Sequence, residues 1–227
     1  MAENDRTGAG GKKRVYAGMQ HLILCEGRDA WNFLVTYLNS PALSAAPELS
    51  QSIQVEDFGG NEDLPRQLLL WTKIPGFENL KSLTVIRDAE KDAEKAVQTV
   101  KNAFLFAWLP VPPSPGTLLR SGTLTTGFVL FPACGTEPIN GTLEDLCLDI
   151  LEEHESRVLR EIDGFLRDLG EQNLRTFPHL FKSRLHTYFS VTDAYVSLKI
   201  GEAARAGAFD WDSGKLQPLH RFLTSIL

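Results

Sequence analysis

Between residues 19 and 132 short apolar runs alternate with amphipathic segments, and that alternation limits the folds open to the chain more than any other feature. "MQHLILCE" is a short apolar run suited to a buried strand, and "DAWNFLVTYLN" follows with Trp31, Leu34, Val35 and Leu38 at helical spacing. "SIQVEDF" reads as a second strand, ending at Gly59-Gly60, and "EDLPRQLLLWTKI" as a short helix that tolerates Pro65 in its first turn. "LKSLTVIRD" is a third strand. From Ala89, "AEKDAEKAVQTVKNAFLFAWL" lines up its apolar residues in one helical stripe until the prolines of "LPVPPSPG" stop it. "TLTTGFVLFP" is a fourth strand. Strands separated by helices imply right-handed crossovers and a mostly parallel sheet.

After Gly141 the text holds helices alone: "TLEDLCLDILEEHE", "SRVLREIDGFLRDL", "FPHLFKSRLHTYFSV", "YVSLKIGEAARAG" and "KLQPLHRFLTSI". The expected layout is therefore α/β. A parallel sheet of about four strands with flanking helices fills residues 19–140, and a helical extension over 141–227 packs on it. A polar, glycine-rich arm, "MAENDRTGAGGKKR", is expected to be disordered over residues 1–18.

Composition removes several classes. No apolar run approaches the roughly 20 residues of a membrane span, and the arm lacks the apolar segment of a secretory signal. The three cysteines, Cys25, Cys134 and Cys147, cannot all pair and have no close metal-ligand spacing, which suits reduced thiols in a cytoplasmic protein. The five histidines are scattered, so no zinc motif forms. A net charge of -6 argues against a general electrostatic grip on nucleic acid, yet clustered carboxylates awaiting a cation would also inflate the negative count.

In a parallel sheet all strands end at one edge, where ligand sites form. Glu26 ends the first strand; Asp88 ends the third, with Glu90 and Asp92 just beyond. Carboxylates sharing so small a volume raise one another's pKa values, and Mg²⁺ or Mn²⁺ relieves that by accepting hard oxygen ligands. Capping offers a plainer account of Asp88, Glu90 and Asp92, since acids favour the positive N-terminal end of the following helix. Asp29 reads as a first-turn acid of the first helix.

Here the residues carry a resemblance. "LILCEGRD" is similar to the first motif of the Toprim domain, a strand ending in Glu-Gly with an acid soon after, and "LTVIRDAEKD" resembles its second, a strand ending in Asp-x-Asp. The family's second aspartate is Glu90 here, and Asp92 stands ready as a substitute. The resemblance implies a compact parallel sheet, a glutamate (Glu26) in acid–base chemistry or metal binding, and Mg²⁺ held by Asp88, Glu90 or Asp92. Toprim nucleases of the overcoming-lysogenization-defect type add a later acid and a lysine, which Glu144 in "INGTLEDL" and Lys182 in "HLFKSRLH" match in place. The layout also resembles uncharacterised stand-alone bacterial Toprim-like proteins of this length. Those nucleases usually carry an ATPase domain; "GAGGKKR" has the wrong spacing for a phosphate-binding loop, so an ATPase partner would be a separate chain.

The implied function is metal-dependent hydrolysis of DNA or RNA, with Glu26 and Lys182 catalytic and Glu26, Asp88, Glu90, Asp92 and Glu144 as metal ligands. The alternative is a non-catalytic Toprim-fold module that binds a protein partner or nucleic acid. Taken singly, Glu144 fits a first-turn acid as well as a ligand, Thr142 and Asp145 fit a capping box, and Lys182 fits a solvated lysine. His186 and Gly59-Gly60 have ordinary readings too, as a half-buried histidine and a turn.

Overall fold

The computed structural model describes residues 20–44 and 47–227, and the arm expected over residues 1–18, with Lys12, Lys13 and Arg14, lies outside the described residues. Five strands form one sheet: β1 (His21–Cys25), β2 (Ile53–Asp57), β3 (Ser82–Asp88), β4 (Leu118–Ser121) and β5 (Leu124–Phe131). Their order is β2-β1-β3-β5-β4, and every pair is parallel except β4 with β5. The four expected strands are present. The addition is β4, a short, half-exposed edge strand that turns straight back into β5.

Among the described residues eight α-helices surround the sheet: α1 (Gly27–Leu38), α2 (Pro47–Ser52), α3 (Leu64–Trp71), α4 (Ala93–Phe106), α5 (Leu143–Glu171), α6 (Leu180–Val191), α7 (Ile200–Arg205) and α8 (Gln217–Ser225). Side chains alternate across a strand, so each sheet face builds its own core. Ile23, Cys25, Val55, Ile86, Val129 and Phe131 join α1 and the C-terminal helices α5 to α8 in one buried cluster. Leu22, Leu24, Leu83, Val85, Phe128 and Leu130 join α3 and α4 in the other. The inner strands β1 and β3, covered on both faces, read as largely apolar runs, whereas the edge strand β2 alternates buried Ile53 and Val55 with half-exposed polar residues. The C-terminal helices thus share one layer of the molecule with α1.

Two helix boundaries differ from the periodicity. The stripe from Ala89 begins as helix only at Ala93, because Glu90 adopts a left-handed conformation (φ 60°) and exchanges two 2.8 Å backbone hydrogen bonds with Gly141. The two helices expected across 142–169 are one helix, α5, kinked at Glu155 (φ −112°, ψ 20°) at the boundary between the two apolar patterns. Among the described residues, no helix is long and apolar enough to cross a membrane.

Candidate functional site

The chain leaves β1 for α1 on one face of the sheet and leaves β3 for α4 on the other, although β1 and β3 are neighbours. Loops that part in this way open a crevice at the carboxyl ends of the two strands, the usual ligand position in such sheets. Glu26 and Asp88 stand on its two sides.

Glu26 follows β1 directly and donates its backbone N–H to the Ile86 carbonyl (3.1 Å), continuing the β1–β3 register by one step. That step sets it beside Arg87, whose Nε lies 3.3 Å from Glu26 Oε2. Arg87 is 1% exposed and also donates from Nε to the Asp88 carbonyl (3.0 Å). The chain then turns through Gly27 at φ 83°, a left-handed conformation that glycine takes without Cβ strain, which accounts for the Glu-Gly pair. Asp57, at the end of β2, fixes this turn: its Oδ1 accepts from the N–H groups of Gly27 (2.9 Å) and Gly59 (2.8 Å). Gly59 therefore serves a turn.

Asp88 Oδ1 accepts from the Leu143 N–H at 2.8 Å, tying the end of β3 to the start of α5. The same end of α5 carries Glu144, which is buried and whose Oε1 lies 3.3 Å from Lys182 Nζ on α6. Asp145 accepts from the Thr142 N–H at 2.7 Å, the capping arrangement expected from the sequence. Asp92 caps α4 through a 2.9 Å bond from the Lys95 N–H to its Oδ1. Asp29 lies in the first turn of α1, and its Oδ1 accepts the Gly201 N–H of α7 at 3.1 Å. His186 is exposed and lies edge-on to Phe189.

Electrostatics ties these groups into one cluster. Burial, then Glu144 and Glu26, push Asp88 from 3.8 up to about 7; the Leu143 N–H opposes this and Glu90 adds to it. Burial also raises Glu26, with Arg87 opposing and Glu90 and Asp57 reinforcing. Lys182 is raised chiefly by Glu144, with Asp88 and Glu90 contributing. Glu26, Asp88, Glu90 and Glu144 thus act on one another across the crevice, in company with Arg87 and Lys182.

These residues suit a divalent cation in donor type and in charge. Their oxygens are hard ligands, four carboxylates face two cationic side chains, and Glu26 Oε2 is a buried oxygen without a hydrogen bond, its contact with Arg87 being an ion pair of poor hydrogen-bond geometry. Among the described residues, however, no three acidic, histidine or cysteine side chains form a ready-made metal cage. The donors converge in field rather than in a closed coordination shell.

Beside the cluster runs a groove of about 460 Å³ between the β3–α4 junction, the start of α5 and the residues leading into α6; Glu90 and Lys182 line it along with Phe177 and Phe181. Sequence reading passed over Arg87, Asp57 and this groove. A signal for Arg87 was present, since a cation inside a run destined for the core needs a buried acid partner. Asp57 and the groove depend on β1–β2 pairing and on the placement of α6, which no local pattern carries.

A comparison with curated proteins finds no match. Among solved structures, the C-terminal region of the Xanthomonas campestris pv. campestris OLD protein aligns over 92% of this chain and 96% of that chain, at 18% identity and a TM-score of 0.39. At that level the likeness bears on neither the site nor its chemistry. The model of one family, described as a protein of unknown function (DUF3226), matches residues 20–227, from the strands that carry Glu26 and Asp88 to the helices that carry Glu144 and Lys182, and the chain belongs to that family.

Proposed function

We propose that the chain is a divalent-cation-dependent phosphodiester hydrolase acting on nucleic acid. The observation that carries this reading is the gathering of Glu26, Asp88, Glu90 and Glu144 at the crevice beside Arg87 and Lys182, with Asp88 raised first by burial and then by Glu144 and Glu26. The resemblance of "LILCEGRD" and "LTVIRDAEKD" to the Toprim motifs supports the same chemistry. Glu26, Asp88 and Glu90 would have to draw together to hold one Mg²⁺ or Mn²⁺, with Glu144 available to a second. Such ions supply an activated water and neutralise charge on the leaving oxygen. Glu26, half-buried and with its pKa raised by that burial, is suited to take a proton from an attacking water. Arg87 holds it in place. Lys182, with its side chain 55% exposed, reaches from Glu144 toward the groove and stabilises negative charge on the phosphate as it builds.

The test is cleavage of plasmid and of single-stranded DNA and RNA with Mg²⁺ or Mn²⁺, comparing wild type with Glu26→Gln and Asp88→Asn. Loss of cleavage in both variants is expected. No cleavage by the wild type, or undiminished cleavage by both variants, refutes the assignment. A second reading, a non-catalytic binding module, draws on the ion pairs Glu26–Arg87 and Glu144–Lys182, which satisfy two of the acids without a metal. Melting with added Mn²⁺ separates the two, because an ion that binds the folded state raises the melting temperature. No shift selects the module.

A further inference from the structure

Two grooves meet at Glu90, and they differ in character. The one of about 460 Å³ is walled by Phe177, Leu180 and Phe181, with Lys182 at the rim shared with the acid cluster. Phe181 is 52% exposed and Leu180 47%, so both side chains in this wall are open to a ligand. The other, of about 260 Å³, has Lys91 and Lys95 on its walls and the buried Arg87 at its floor. Its acids are Glu90 and Asp92, and Asp92 Oδ1 is engaged in capping α4. Lys91 and Glu90 line both grooves.

An aromatic wall on one side of Glu90 and Lys95 on the other, with Lys91 lining both grooves, match the base and the backbone of an unpaired nucleotide strand. Single strands are held by stacking bases on aromatic rings and by tracking the backbone with cations. In a duplex both faces of each base are already stacked on neighbours, so an exposed ring has no face to take. The size of the aromatic groove, within the range of small-molecule pockets, suits a nucleotide rather than a double helix. In a chain of net charge -6, affinity for a polyanion must come from such local cations.

We infer that the substrate is single-stranded nucleic acid, lying across Glu90 with its phosphates on Lys91 and Lys95 and an unstacked base against Phe181. This rests on the hydrolase reading and names its substrate class. Binding is measured by fluorescence anisotropy of a labelled single-stranded oligonucleotide, DNA and RNA in parallel arms, against the matching duplexes. Full-length protein is used in EDTA so that nothing is cut. Single strands of at least one of the two chemistries are expected to bind at least about tenfold tighter than their duplex. Phe181→Ala is expected to weaken that binding about tenfold with an unchanged salt slope. Lys95→Ala is expected to weaken it and flatten the salt slope by about one. Duplex binding as tight as single-strand binding, no single-strand binding at all, or full affinity in Phe181→Ala each overturns the inference. Because no metal is present, the outcome is independent of cleavage: a nuclease that prefers duplex refutes this inference alone, and a single-strand binder that never cuts refutes the hydrolase alone.

Discussion

Asp88→Asn is expected to stabilise the metal-free protein, and to do so increasingly as the pH rises. The Asp88 carboxyl, which ordinarily ionises at 3.8, here does so at about 7. At 1.36 kcal/mol per pH unit, holding it ionised in the fold costs on the order of 4 kcal/mol. Between those two values the folded chain keeps a proton that the unfolded chain has released, so stability falls as pH rises through that window. The loss is complete above about pH 7 and absent below the unfolded value. An asparagine removes the charge but keeps an oxygen that can accept the Leu143 N–H, now 2.8 Å from Asp88 Oδ1. It also removes the repulsion that Glu144 and Glu26 exert on that charge. Urea denaturation in EDTA should show the variant's advantage growing by roughly 1.4 kcal/mol per pH unit between about pH 5 and 7, then levelling. Mn²⁺ added at about pH 8 should restore stability to the wild type and do little for the variant. A variant less stable than the wild type at about pH 8, or an advantage that does not vary with pH, would refute the picture of a carboxylate held against its neighbours.

Two further substitutions test the frame of the site. Arg87→Met removes the buried cation beside the half-buried Glu26 and should destabilise the fold by about 3–5 kcal/mol, most at neutral and alkaline pH where Glu26 must carry its charge; urea melts that match the wild type would show that the pair contributes nothing. Gly201→Ala places a methyl against Asn32 where α7 meets α1, and overpacking there should cost about 1–3 kcal/mol in the same assay. An unchanged midpoint would mean the two helices have room to part.

What could be read in advance followed from how locally each feature is encoded. β1, β3 and β5 were legible as apolar runs, β2 by the alternation of Ile53 and Val55 with polar neighbours, and α1 and α4 because their stripes face a single core. β4 was not, since "LLRS" is short, half-exposed and owes its strand character to pairing with β5. The start of α4 was misplaced because nothing in "DAEKD" shows that Glu90 will bond to Gly141, some fifty residues away. The site followed the same division. Glu26 and Asp88 could be placed by their strand ends, whereas Arg87 as the partner of Glu26 needed the β1–β3 register. The contact of Lys182 with Glu144 needed α6 to lie against the start of α5.

The register also explains why acid and cation coexist at the crevice. Continuing β1 by one residue necessarily sets Glu26 beside position 87, so the occupant of 87 decides how that glutamate is held. Arginine there anchors one carboxylate without cancelling the others: Glu26 remains raised despite it, and Asp88 more so. An apolar residue at 87 would drive Glu26 toward its neutral form, and a second cation at position 88 would abolish the surplus. The observed pair keeps Glu26 fixed while leaving the cluster short of positive charge. A proton on Asp88 can relieve that shortage below about pH 7, and a divalent ion bound as proposed would compete with it for the same oxygens. Ion affinity should therefore rise with pH over the window in which metal-free stability falls, so the two titrations report opposite signs of one quantity.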